Sequence, residues 1–298
     1  MKSSLRRIAR LDTGDWTLRL KCGVAFLALW AYLLVDLAGE ETGISLALLF
    51  LCGLAAAWQL SCYWHTWLIP FGFLAYHLCM DPYGRANHHF ALLYVCLAMA
   101  CCLSATPNQR EHLVGVNARW LLIGIMGFAT MHKVLSPEFL DGSYTGFLLA
   151  TGSIGRFVSN IVALDDILPI IELNRSLIDT LADMREDKVA TVHLRPIGEH
   201  FRIFAYGFTA LTLISEGWLF LCYAFWPDHK LAPWSALAFA ATLAFIRPEL
   251  IFIAILTSIA LMAWRKRTTG ICILLSAACM VSLLIGLFFD RTKAIAIP

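Results

Sequence analysis

The residues able to do chemistry in this chain are few, and most of them sit in or beside long apolar runs. Glu216 lies midway through the largely apolar run 201–226. A carboxyl at membrane depth has to be protonated, paired or water-lined, so both structural pairing and function stay open for it. Lys133 closes the run 116–133 within Met131-His132-Lys133. A lysine there can snorkel to the interface, or, partly stripped of water, supply a neutral amine that acts as a base. Asn87-His88-His89 opens the run 90–106; it reads as a helix cap, since Asn is a good N-cap, or as donors and acceptors for a bound ring oxygen. His77 ends the run 67–80, and Arg247 and Glu249 flank Pro248 at a turn, as a local ion pair or a substrate contact.

These groups are costly because of what surrounds them. Of 298 residues 59% are hydrophobic and 15% charged, with a mean hydropathy of +0.71. A soluble domain is nearer 45–50% apolar and about 25% charged. The excess must face lipid, which excludes a soluble enzyme, a nucleic-acid reader and a disordered chain. Apolar runs fall at 22–39, 44–60, 67–80, 90–106, 116–133, 201–226, 231–246, 249–264 and 271–289. Since a span takes about 20 residues, the expected fold is all-α: a polytopic integral membrane helical bundle of about eight to nine transmembrane helices. Runs 67–80 and 231–246 are short for full crossings and could be re-entrant or tilted.

Six basic residues (Lys2, Arg6, Arg7, Arg10, Arg19, Lys21) precede the first run, against two acids. The positive-inside rule therefore places the N-terminus in the cytoplasm, with 1–21 as a cytoplasmic basic segment whose stretch 3–21 is expected to lie on the membrane as an amphipathic helix. The cluster Arg265-Lys266-Arg267 returns to the same side after eight crossings. Spans one to five occupy 22–134 and the last four 201–289, all in a single membrane domain of 1–298. Between them, 135–200 carries 10 of the 21 acidic residues, with Leu173, Leu177, Leu181 and Met184 at helical spacing; it reads as an exterior helical insertion. The threading gathers Asp36, His77, Asn87, His88, Lys133 and Arg247 in the outer leaflet. The ten cysteines include no C-x-x-C and lie mostly in apolar runs, where cysteine behaves as a small hydrophobe. No metal-ligand spacing, phosphate cradle or nucleophile elbow is present, so no metal is expected.

Two strings add a resemblance. Arg85-Ala-Asn-His-His-Phe-Ala-Leu-Leu-Tyr94, followed by an apolar run and Pro107-Asn108, resembles the N-H-x-Y/F-L helix start of vitamin K-dependent γ-carboxylase and of its bacterial relatives, the horizontally transferred transmembrane domain (HTTM) family. Gly127-Phe-Ala-Thr-Met-His-Lys-Val-Leu-Ser-Pro-Glu-Phe-Leu-Asp-Gly142 is similar to that family's A-G-x-x-K-L…W-x-x-G segment, with Phe139 at the tryptophan. The resemblance covers about residues 10–290. It implies an enzyme using a reduced, vitamin K-like quinone or a related lipid, with its site on the exterior side, modifying a secreted peptide and served by a small partner subunit. Lys133 would be the catalytic base, aided by His88; Asn87, His88 and His77 would hold the cofactor; Glu216 and Arg247 would contact substrate or serve as structural polar residues. In the other register Val134 stands at the base position. The large extramembrane region of the carboxylase has no counterpart, so glutamate γ-carboxylation itself is not expected. The alternative is a non-catalytic scaffold or immunity-type protein that binds a peptide or lipid.

Overall fold

A computed structural model describes residues 13–37, 53, 56–80, 87–151, 168–182, 194–195, 199–246, 250–265 and 269–295. Among these the regular structure is helical throughout, without strands. The helices are α1 (Thr13–Leu37), a 3-10 turn (Trp64–Trp67), α2 (Leu68–Met80), α3 (Asn87–Ser104), α4 (Pro107–Leu135), α5 (Pro137–Leu140), α6 (Ser143–Ala150), α7 (Leu168–Ala182), α8 (Glu199–Phe225), α9 (Leu231–Ile246), α10 (Leu250–Ala263) and α11 (Thr269–Ile295). Among the described residues, three stretches are long and apolar enough to cross a membrane: Trp16–Leu34, Pro107–Leu135 and Arg202–Phe225. By contrast α2, α9 and α10, with 13, 16 and 14 residues, reach only about 20–24 Å against a hydrocarbon core of about 30 Å. Among the large side chains that α4 and α8 turn outward are Trp120, Phe128 and Leu135 on one and Ile203, Ile214 and Phe225 on the other. That outer surface suits lipid.

The chain divides into two compact units, with boundaries inside α4, α8 and α9. The first comprises 1–125, 221–237 and 250–298. At its centre α10 packs against α1 and α11 and is buried from Ile251 to Ala263 with one half-buried residue, Phe252. A helix that is hydrophobic all round belongs inside. Its two hydroxyls are returned to the backbone, Thr257 donating to the Ile253 carbonyl at 2.8 Å and Ser258 to that of Ile255 at 2.7 Å, so neither is left wanting in the core.

One expectation about this unit is overturned. Residues 13–21 are not a separate surface helix; α1 runs unbroken from Thr13, while 1–12 lie outside the described residues. The reason is Lys21, which is 1% exposed and so is no part of a solvated basic face. Its ammonium donates to the Trp264 carbonyl at 2.6 Å and lies 3.4 Å from Glu111 Oε1. It thereby caps the carboxyl end of buried α10, where a cation suits both the orphan carbonyl and the helix dipole. The contact also brings the start of α1 and the segment entering Arg265-Lys266-Arg267 to one end of the unit.

The second unit comprises 126–220 and 238–249. Here α6 lies on α8 through a cluster of Leu149, Ala205 and Phe208 and a Thr145–Thr209 hydroxyl pair at 2.7 Å. The described part of 135–200 is helical, as its apolar spacing suggested, but the inward stripe is different. Leu173 is exposed, whereas Ile170, Ile171, Asn174, Leu177 and Ile178 turn inward; Leu181 and Met184 have no described surroundings. Asn174, 0% exposed, sets this register. It donates to the Ala150 and Arg195 carbonyls at 3.1 and 3.0 Å and accepts from the Arg195 N–H at 2.8 Å.

Candidate functional site

Within the second unit, Lys133 and Glu216 come together. The lysine Nζ is 2.6 Å from each carboxylate oxygen, with side chains 21% and 9% exposed. Several levels of contact between α4 and α8 set up the pair. A Cβ at Gly127 would lie 3.1 Å from the Phe220 ring, and one at Gly217 would lie 3.8 Å from the Thr130 methyl. Residues 127, 130 and 133 therefore face 220, 217 and 216, so the helices run antiparallel here. The glycines let the backbones approach until a lysine and a glutamate can bridge them.

The chain beyond Lys133 closes the site. Ser136 is extended, as a residue before proline prefers, and Pro137 starts α5. This ends α4 at Leu135 and folds Phe139 back until its ring centre is 5.6 Å from Lys133 Nζ, within range of a cation–π contact. Phe139 is buried and packs near Tyr144, with ring centres 6.0 Å apart. Gly142 then has φ +75°, and a Cβ on it would lie 3.3 Å from the Tyr206 ring. Both the left-handed backbone and the ring exclude other residues. Thus the spacing from Lys133 through Phe139 to Gly142 has a local physical reason: lysine, ring and turn form one piece against α8. At the turn, the Ser143 hydroxyl and backbone N–H beside Asp141 hold its carboxyl below the usual carboxylate range, with Arg202 adding to the effect.

Lys133 therefore does not snorkel outward. Nor does it stand as an isolated amine beside an apolar cavity. Its Nζ is held by both carboxylate oxygens of Glu216. Glu216, costly by itself, is balanced by Lys133.

His77 is half-buried in the last turn of α2, its ring against Phe73 at 4.3 Å and edge-on to Tyr76 at 5.8 Å. Asn87 and His88 begin α3, but their side chains are outside the described residues, as are those of Asp36 and, entirely, Arg247 and Glu249. His89, which follows Asn87 and His88 in α3, is buried. It is 2% exposed, in a short hydrogen bond with the Tyr32 hydroxyl, and the two rings meet edge-on at 5.0 Å. Sequence reasoning missed Tyr32 and Lys21. Only the lysine left a signal, a charge inside the apolar stretch Trp16–Leu34. Among the described residues no cluster of three His, Cys, Asp or Glu side chains could hold a metal. No protein-family model, curated protein or solved structure matches this chain.

Proposed function

We propose that this chain is a polytopic integral membrane protein of about eight to nine spans, with a cytoplasmic N-terminus, and that it acts as an HTTM-like, carboxylase-related enzyme on a reduced quinone or related lipid. The observation that carries the reading is the Lys133–Glu216 pair seated over Phe139. Charges at membrane depth are expensive and are retained where they work. A joined ammonium and carboxylate can relay a proton without leaving net charge in the site. Lys133 would first pass a proton to Glu216, and the neutral amine so formed could take the hydroxyl proton of a quinol, leaving Lys133 as an ammonium and Glu216 protonated; by the resemblance, Asn87 and His88 would hold the ring oxygen. By the same resemblance His77 is proposed to contact the cofactor and Arg247 the substrate, and a secreted peptide with a small partner subunit is the proposed substrate system.

A second reading, a non-catalytic scaffold or immunity-type protein, draws on the same pair. Its charges are satisfied, so it also serves as an interhelical clasp. Purification in mild detergent, followed by mass spectrometry of what remains bound, separates the two. The enzyme reading expects a quinone that is lost in Asn87→Ala and His88→Ala. Bulk phospholipid or a peptide alone, unchanged in those variants, contradicts it.

A further inference from the structure

The first unit holds a pair of chemically active groups, Tyr32 and His89, that the proposed reaction does not use. Tyr32 lies on α1, which is buried from Lys21 to Leu34 apart from the half-buried Trp30. His89 begins a stripe of α3, continued by Leu92, Cys96, Met99 and Leu103, that is buried at helical spacing. The two residues are 8% and 2% exposed. The phenol hydroxyl meets the imidazole directly, in a short hydrogen bond with Nδ1 and 3.4 Å from Nε2, and the rings stand edge-on. A neutral imidazole has one bare nitrogen in either tautomer, so an acceptor for the phenol proton is within reach in both.

A phenol that loses an electron becomes a strong acid, and the loss is easy only where a base takes the proton in the same step. Histidine is the side chain whose ordinary basicity suits that task near neutral pH. In a buried apolar site water cannot stand in for it. The other tyrosines show the contrast. Tyr223 is as deeply buried, at 1% exposure, but its hydroxyl meets no hydrogen-bond partner among the described residues, so its proton has nowhere to go. Tyr63, Tyr76, Tyr94, Tyr144 and Tyr206 are exposed, where a radical is open to coupling and quenching. Tyr32 combines burial with a base on its hydroxyl.

We propose that Tyr32 and His89 form a redox-active pair that holds one oxidising equivalent taken from a lipid peroxyl radical of the surrounding bilayer. The peroxyl radical gains one electron and, with a proton from water, becomes a hydroperoxide. Tyr32 loses that electron, its O–H bond breaks, and the proton passes to His89, leaving a neutral phenoxyl radical beside an imidazolium. For the test, the full chain in phospholipid vesicles is exposed in air to a lipid-soluble azo initiator, which generates peroxyl radicals, and frozen samples are read by electron paramagnetic resonance. A neutral tyrosyl signal is expected in the wild type, lost in Tyr32→Phe and unchanged in Tyr223→Phe. His89→Gln keeps a hydrogen-bond acceptor but not a base, and the signal then forms at least about a hundredfold more slowly. Wild-type protein prepared in heavy water gives a reading that needs no variant to fold: an exchangeable deuteron coupled to the phenoxyl oxygen. A signal that survives in Tyr32→Phe, that falls equally in Tyr223→Phe, that forms at the wild-type rate in His89→Gln, or that shows no such deuteron would overturn the proposal.

Discussion

Replacing Glu216 by glutamine keeps the shape of the side chain and removes its charge, leaving the Lys133 ammonium against an amide. At the observed 2.6 Å, the gross attraction between the charges is on the order of 6 kcal/mol at an effective dielectric of about 20. Much of this offsets desolvation of the two groups. Removing one member of a buried pair costs about 3–5 kcal/mol, because the other charge stays behind. Lys133 keeps 21% of its side-chain exposure and so regains some hydration, which puts Glu216→Gln at the low end, about 3 kcal/mol. Lys133→Met alone strands the carboxylate and costs a similar amount. The double variant loses both charges together, and a coupling of about 2 kcal/mol leaves it about 4 kcal/mol less stable in place of the additive value of about 6. Thermal unfolding of the four proteins in one detergent measures the cycle. Additive single effects, with the double variant as damaged as their sum, would refute the pairing.

Gly142→Ala meets both the left-handed backbone and the Tyr206 ring, and is expected to cost about 1–2 kcal/mol and to loosen the Phe139 turn, seen as faster proteolysis between α5 and α6. Asn174→Ala removes a buried amide serving three backbone hydrogen bonds; the expected loss is about 2–3 kcal/mol, read by thermal unfolding, with Leu173→Ala, at an exposed position, close to neutral. Asp141 has its carboxyl lowered by Ser143 and Arg202, so its contribution is present above the unfolded carboxyl value and is lost as pH falls through the lower folded one. Proteolysis of the α5–α6 turn should therefore rise in that acidic window, and Asp141→Asn should flatten the dependence.

Apolar runs made the helices legible, because burial or lipid contact demands the same residues in either case. Their ends were less so. The run 116–133 understates α4, which begins at Pro107, where a proline fits the first helical position ahead of any apolar stretch. Lys133 and Glu216 were each visible as charges in costly places, yet nothing in a chain that sets them 83 positions apart says that they meet. That depended on helix packing at Gly127 and Gly217. Lys21 was misplaced because a basic N-terminal segment looks alike whether its lysine faces water or caps a buried helix. The stripe in α7 was misassigned for a related reason: its central inward residue is Asn174, a polar side chain that hydrophobic spacing overlooks.

The most direct test of Lys133 and Glu216 as a proton-handling centre is oxygen uptake driven by reduced quinone, with purified wild-type and Lys133→Arg protein compared in the same lipid vesicles. Arginine keeps the charge and the salt bridge but stays protonated at any working pH. The expected result is quinol-dependent uptake by the wild type and its loss in a Lys133→Arg protein that is inserted and as stable as the parent. Undiminished uptake by Lys133→Arg would remove Lys133 from the chemistry and leave the pair as a clasp between α4 and α8.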